Sequence, residues 1–275
     1  MITIENLGFS YGDKIVLKDI SMRLEEGRIY GLLGENGVGK TTLLTLLSGL
    51  KKLNAGKIEI DGQKPFDRKP SMLSEIYYLS DEVAEANMSA LEYAGNYGKF
   101  WQNFDLEKFI EIMKELGTEQ TQKMNQMSFG QLKKTHIAFA FACNTKYLFM
   151  DEPTNGFDIP SKAQFRKALM KYTREDSTVL ISTHQVRDLE NVIDPIIILD
   201  RQQVLLNASI QEISEKLYFD YSAETRPEAL YSEMVPGGNI QVLLNTANED
   251  SKVNIEALFN TVHKHKELTQ SIFSK

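Results

Sequence analysis

The chain has a single cysteine, Cys143, in 275 residues, which excludes an internal disulfide and suits a reducing compartment. No stretch approaches the roughly 18 uncharged apolar residues of a membrane-spanning helix, so the chain is not expected to cross a bilayer itself. Met1-Ile-Thr-Ile-Glu5 offers neither a basic n-region nor an apolar h-region, so no secretory leader is expected. Positive charge is in deficit. Against 38 Asp and Glu stand 31 Lys and Arg, and the resulting −7 argues against a nucleic-acid surface, which is normally basic. Histidine is scarce, at 4 residues, and no Cys/His cluster has zinc-ligand spacing. Internal repeats and low-complexity segments are absent. What is present is ordinary for a folded protein: 42% apolar and 25% charged residues, in a length that suits one large domain or one domain with an appendage.

The most telling positions are Gly34, Glu35, Asn36, Gly37, Val38, Gly39, Lys40 and Thr41, which fit the phosphate-loop pattern G-x-x-x-x-G-K-[ST], with Thr42 following. Glycines let backbone N–H groups of a tight loop converge on phosphates without a Cβ in the way. Lys40 can reach the β- and γ-phosphates of a nucleoside triphosphate such as ATP, and the Thr41 hydroxyl can ligate Mg²⁺. The pattern should arise by accident in roughly one chain in a hundred of this length. Its setting narrows that further: Arg28–Leu33 reads as a buried strand, and Thr41–Leu50 as a helix apolar on most sides. Strand, glycine loop and helix together aim the positive end of a helix at the phosphates. Later, Tyr147-Leu-Phe-Met150 reads as an apolar strand ending in Asp151 and Glu152. At a strand tip Asp151 can hold the hydration shell of Mg²⁺, and Glu152 can polarise an attacking water.

Around these motifs the pattern is α/β. Residues 1 to about 30 alternate apolar and polar, at Ile2/Ile4, Phe9/Tyr11 and Ile20/Met22/Leu24, and predict antiparallel strands with turns at Tyr11-Gly12-Asp13 and Glu26-Gly27. A further strand at Lys57–Ile60 ends at Asp61-Gly62. From about Asp81 to Met127 the period is helical. Ser89 and Glu92 form a capping box, and Asp105 caps a helix whose Leu106, Phe109, Ile110, Met113 and Leu116 share a stripe, stopped by Gly117. Thr178–Ile181 and Ile196–Leu199, with Tyr147–Met150, are unbroken apolar runs of the kind found in parallel sheets. After about Val204 the chain changes character: strand-like Leu217–Phe219, helix-like Pro227–Met234, a turn at Pro236–Asn239, strand-like Ile240–Leu244 and helix-like Val253–Val262 predict a small α+β appendage.

In this order the motifs make residues 1 to about 205 resemble the nucleotide-binding subunit of an ATP-binding cassette (ABC) transporter. Met127-Ser128-Phe129-Gly130-Gln131 resembles the family's L-S-G-G-Q signature, Asn155–Asp158 its D-loop, and Ser182-Thr183-His184 its switch-histidine loop. Phe9-Ser10-Tyr11 matches the segment whose aromatic stacks on adenine, and Ile76–Asp81 the loop that normally presents glutamine to Mg²⁺ and contacts the membrane subunit. The residues alone also allow plainer roles: Tyr11 as a strand aromatic, His184 as a residue at a strand end, Ser128 and Asp158 as helix N-caps. The chain departs from the family pattern at Phe129, where a glycine is usual, at Asp81 in place of glutamine, and at Gln202, where a glycine follows the strand.

The resemblance implies a P-loop NTPase with a mostly parallel core sheet, an N-terminal antiparallel β subdomain and a helical insertion at about 81–135, all within residues 1–205, with 206–275 as an accessory region. It implies ATP held through Tyr11, Gly34–Thr42, Ser128, Gly130, Gln131 and Asp158, Mg²⁺ held through Thr41, Asp81 and Asp151, and hydrolysis carried by Glu152 and His184. The signature of one copy would cap the ATP of another, giving a head-to-tail homodimer or a pair with a second cassette. The partner would be a separate transmembrane subunit, with the chain peripheral on the cytoplasmic face of the membrane. A soluble cassette acting on the ribosome and a regulatory ATP-binding protein are the alternatives.

Overall fold

The computed structural model describes residues 1–273. Strand β1 (Ile2–Tyr11) pairs antiparallel with β2 (Lys14–Leu24) across the turn at Gly12, whose φ of 57° suits a residue without a side chain. Ile2 and Ile4 point inward, a register shift at Asn6 (φ 46°) moves the inward phase to Leu7 and Phe9, and Tyr11, expected on the same face as Phe9, is exposed. At Gly27 (φ 70°) the chain leaves this sheet; an added Cβ there would meet the Glu175 carbonyl at 2.8 Å. β3 (Ile29–Leu33) enters a second sheet, α1 (Lys40–Leu47) follows, and β4 (Ala55–Ile60) returns to pair with β1, giving the order β2-β1-β4.

A single turn, α2 (Pro70–Leu73), precedes β5 (Ile76–Leu79), and the helical insertion then runs through α3 (Ala90–Tyr97), α4 (Leu106–Glu115) and α5 (Phe129–Ala142). Its boundaries follow the expected caps. The Ser89 and Glu92 side chains satisfy each other's backbone N–H groups, Asp105 accepts from the Lys108 N–H, and Gly117 ends the run at φ 69°. The α4 stripe buries Phe109, Ile112 and Met113, with Leu116 just beyond the helix, but leaves Leu106 exposed at its first turn.

The remaining core elements are β6 (Tyr147–Asp151), α6 (Ile159–Tyr172), β7 (Thr178–Thr183), β8 (Ile196–Asp200) and β9 (Gln203–Ala208). The central sheet has the order β5-β6-β7-β3-β8-β9, parallel throughout except for β9. Because side chains alternate across a strand, the sheet feeds two cores. Leu32, Phe149, Leu180 and Ile197 pack with α1 and the N-terminal sheet, whereas Leu33, Met150, Ile181 and Ile198 pack with the helices of the opposite face. The phosphate loop, the Asp151-Glu152 pair and His184 all follow the carboxyl ends of adjacent parallel strands, where open α/β sheets place their ligands.

The last segment comprises α7 (Ile210–Lys216), β10 (Leu217–Ser222), β11 (Tyr231–Val235), β12 (Gly238–Leu244), α8 (Ile255–Lys264) and α9 (Lys266–Phe273). One expectation is corrected here. Pro227–Met234, read as helical, instead supplies β11, paired to β12 through a hairpin at Pro236-Gly237. The turn pre-sets the return of the chain, and the free edge of β12 supplies the hydrogen bonds that a helix would have made internally. The expected division at 205/206 falls inside β9, which α9 covers.

Candidate active site

The loop between β3 and α1 is shaped by what its glycines leave open. A Cβ at Gly34 would lie 2.5 Å from the Leu199 carbonyl oxygen, and one at Gly39 would lie 2.9 Å from a Leu17 methyl, while Gly39 itself has a φ of 116°. Gly39 is the N-cap of α1 and provides no side chain to satisfy the helix's first N–H groups. Lys40 is buried, and its ammonium donates to the carbonyls of Gly34 (2.7 Å) and Glu35 (3.1 Å) and lies 3.6 Å from Glu152 Oε1. Burial holds its pKa below the ordinary lysine value, against the opposing pull of Glu152 and Asp151.

The two carboxylates at the end of β6 have different settings. Asp151 accepts from the Thr41 hydroxyl at 2.6 Å and from the Ser182 hydroxyl on β7. The Glu152 backbone N–H donates to the Ser182 hydroxyl at 3.0 Å, and His184 Nδ1 stands 2.9 Å from Glu152 Oε2. Glu152 Oε1 is buried without a hydrogen-bond donor. Glu152 also adopts a left-handed backbone, φ 44°, a conformation costing a non-glycine residue about 1–3 kcal/mol. Surrounding bonds therefore hold this carboxylate at the mouth of the cleft.

That cleft, of about 660 Å³, is lined by Tyr11, Asn36, Gly37, Gly39, Lys40, Thr41, Thr42, Asp81, Asp151, Glu152, Asn155 and His184 among others. Val38 is half-buried on the flank of the loop, against Gly34. Tyr11 is 48% exposed at the rim, edge-on to Phe9, with its hydroxyl 3.4 Å from Thr42 and the Lys51 ammonium over its ring. An exposed ring beside a phosphate loop can stack on a base.

Four expected residues lie elsewhere. Ser128, exposed, and Gly130 and Gln131, half-buried, form the tip of α5, where Ser128 and Gln131 cap each other reciprocally, and Asp158 caps α6 by accepting from the Ser161 N–H. No side chain of these four lines the cleft of its own chain. Asp81 does line it, but its carboxylate is engaged by the Lys133 ammonium at 2.7 Å and by the Asn155 amide rather than by Thr41 or Asp151. A fully buried ammonium needs a neighbouring anion, and Asp81 is that anion. Asn155 and Ser182 fall within the D-loop and switch-histidine matches but are given no role at the site there, and Lys133 is missed. The signal for Lys133 is the residue itself, a charged side chain in a segment of α5 whose neighbours Leu132, Thr135 and His136 are buried.

The donor set suits Mg²⁺. Thr41 and Asp151 offer hard oxygens, and Glu152 Oε1 beside them is buried with no hydrogen bond, the Lys40 ammonium standing 3.6 Å away. Among the described residues no three His, Cys, Asp or Glu converge to form an all-protein cage. Mg²⁺ is commonly held by one or two protein oxygens together with substrate phosphates.

Comparison with known proteins places this geometry in context. A family model described as "ABC transporter" matches residues 17–155. An uncharacterized ABC transporter ATP-binding protein of Bacillus subtilis is 31% identical over 77% of this chain and 70% of its own length. Another, from Methanocaldococcus jannaschii, is 28% identical over 85% and 88% respectively. Among solved structures, a dimeric ATP-binding cassette in a post-hydrolysis state with ADP and Pi superposes with a TM-score of 0.66 at 24% identity, over 76% of this chain and 98% of that one.

Proposed function

The chain belongs to the ABC transporter family as one of its ATP-binding ATPase cassettes, and from that premise we propose how its residues divide the work of driving a separate membrane-spanning subunit. Cassettes of this family work as dimers with such a subunit. Here the dimer is a head-to-tail pair of identical chains, on the cytoplasmic face of the membrane at which that subunit opens. Relatives named as transporter ATP-binding proteins favour this role over action on the ribosome or a purely regulatory binding role. Among the described residues no helix is long and apolar enough to cross a membrane, and in this reading the spanning part is a separate subunit. In this reading the ATPase domain runs to the end of β9 at Ala208, with the helical portion at about 81–135, and the segment after it is an accessory region.

The observation that carries the reading is the convergence of Lys40, Thr41, Asp151, Glu152 and His184 on one cleft at the strand ends. The backbone of Gly34–Thr42 cradles the triphosphate at the uncapped start of α1, and the Lys40 ammonium moves from its loop carbonyls to the β- and γ-phosphates. Tyr11 stacks on the adenine. Thr41 and Asp151 would hold Mg²⁺, which when bound neutralises charge on the phosphates. Glu152 orients a water and takes its proton as the water oxygen bonds to the γ-phosphorus and the bond to the β-phosphate oxygen breaks, yielding ADP and phosphate. His184 fixes the Glu152 carboxylate and faces the departing phosphate. Ser128, Gly130, Gln131 and Asp158 of the second copy close over the nucleotide. ATP at about a hundred times its Kd would favour the closed pair by about 2.7 kcal/mol per site, enough to drive a motion in a partner.

Phosphate release from purified chain with Mg·ATP, with Lys40→Ala as control, tests the ATPase assignment; equal rates for both would overturn it. Size-exclusion chromatography of Glu152→Gln with ATP tests the pairing. A dimer is expected, and a monomer under every condition would redirect the proposal to a pair with a different cassette.

A further inference from the structure

Among the described residues Lys133 is the one lysine with no exposed surface at all. It sits on the second turn of α5, and its ammonium reaches three different segments: Asp81 Oδ1 at 2.7 Å on the loop after β5, the Glu152 carbonyl at 2.7 Å at the end of β6, and the Asn155 carbonyl at 3.4 Å in the segment leading to α6. A lysine ammonium has three N–H donors, and here each has an acceptor. The Asn155 amide closes the circuit by donating to both Asp81 oxygens, and the Phe129 ring covers the site with its centre 5.6 Å from the ammonium.

The arrangement matters because of what it grips. Glu152 is held in a left-handed conformation, its N–H fixed by Ser182 and its carbonyl by two donors, the Lys133 ammonium at 2.7 Å and the Asn155 backbone N–H at 3.1 Å, so the direction of its carboxylate depends on these bonds together. Asp81 lies where β5 gives way to the helical insertion, and Ser128 begins the same helix that bears Lys133. The end of β6, the insertion and the signature tip are thus tied through one buried charge.

We propose that Lys133 is a positioning residue for ATP hydrolysis, a buried cation that uses Asp81 as its counter-ion and locks the Glu152 backbone in its working conformation. The proposal rests on the ATPase reading above and goes beyond it. Asp81 acts through Lys133, and movement of the Asp81 loop is transmitted to Glu152 through this charge.

The test is a mutant cycle in the full chain: Lys133→Gln, Asp81→Gln and the double variant, each assayed for kcat and KM with Mg·ATP and for binding of a fluorescent ATP analogue. Each single change strands an unpaired charge or a buried amide. Each is expected to lower kcat at least tenfold while KM and analogue affinity stay within threefold, because the phosphate cradle is untouched. The double variant restores a neutral pair and is expected to regain at least fivefold over Lys133→Gln. A Lys133→Gln chain with kcat within twofold of wild type, affinity that falls in step with kcat, or losses that simply multiply in the double variant would each overturn the proposal. Should Lys133→Gln be recovered only unfolded, return of folded, active protein in the double variant supports the coupling, and its failure to return overturns it. If wild type released no phosphate, the ATPase reading would fail on its own. Thermal melting without nucleotide would then decide the coupling: a double variant melting above Lys133→Gln supports it, and one melting no higher overturns it.

Discussion

Two helix N-termini in this chain carry the family's nucleotide motifs, and they are built in opposite ways. At α1 the N-cap is Gly39, no side chain satisfies the first turn, and the position lies inside the cleft. At α5 the N-cap is Ser128, Gln131 completes a reciprocal box, and the tip faces outward, with Phe129 53% exposed and nothing within 4 Å of where a Gly130 Cβ would stand. A helix start without a cap keeps its donors for an anion, whereas one with a capping box already has partners for two of them. The first terminus is therefore pre-organised for phosphate by its own chain. In the proposed pair the second would exchange internal bonds for external ones, as suits an element that meets its ligand only when a second copy approaches.

The largest expected effect lies on the pre-organised side. Lys40→Ala should lower phosphate release at least about a hundredfold, the scale on which a single electrostatic contact to a developing charge acts. The analogue affinity of the isolated chain should fall with it, whereas Ser128→Ala should leave single-chain affinity unchanged. Equal losses of affinity in the two variants would erase the contrast between the termini. Next comes Gly39→Val, a side chain placed at φ 116° against Leu17 and Val16. It should destabilise the chain by about 1–3 kcal/mol and weaken nucleotide binding, measurable by denaturant melts and titration.

The same contrast explains what was legible in the sequence. The phosphate loop announces itself because its function requires glycines at fixed spacing, and the parallel strands announce themselves because burial on both faces forces unbroken apolar runs. Ser89, Asp105 and Gly117 marked helix ends correctly because capping is local chemistry. Two kinds of feature stayed hidden. The Lys133–Asp81 pair joins residues 52 positions apart, and nothing in the local pattern of either predicts the other. β11 was misread because its residues are largely exposed, so no buried face stamped a period of two on the segment, and only the hairpin to β12 makes it a strand.

Smaller effects belong to the outward tip. Ser128→Ala removes the N-cap of α5 and should cost about 1 kcal/mol of stability, seen as a lowered melting temperature without nucleotide. Its second consequence should be visible only in the pair: kcat falls while analogue binding to the monomer is preserved. A loss of stability with unchanged kcat would reduce Ser128 to a cap.

Phe129→Gly should have the smallest effect on stability and the most informative sign. The ring is half outside the molecule, lies over Gly156, where an added Cβ would touch it at 2.9 Å, and covers the Lys133 ammonium. Replacing it with glycine forfeits those contacts and adds backbone freedom at the first turn of α5, a loss of about 0.5–1 kcal/mol. Against this, the change clears the approach to the Gly130 N–H, and a second copy should then seat its nucleotide more closely. In the Glu152→Gln background with ATP, the expected outcome is a tighter dimer by a few-fold in light scattering despite a slightly lower melting temperature. A weaker dimer would mean that the ring itself forms part of the interface, making Phe129 an apolar anchor where the family uses a small residue.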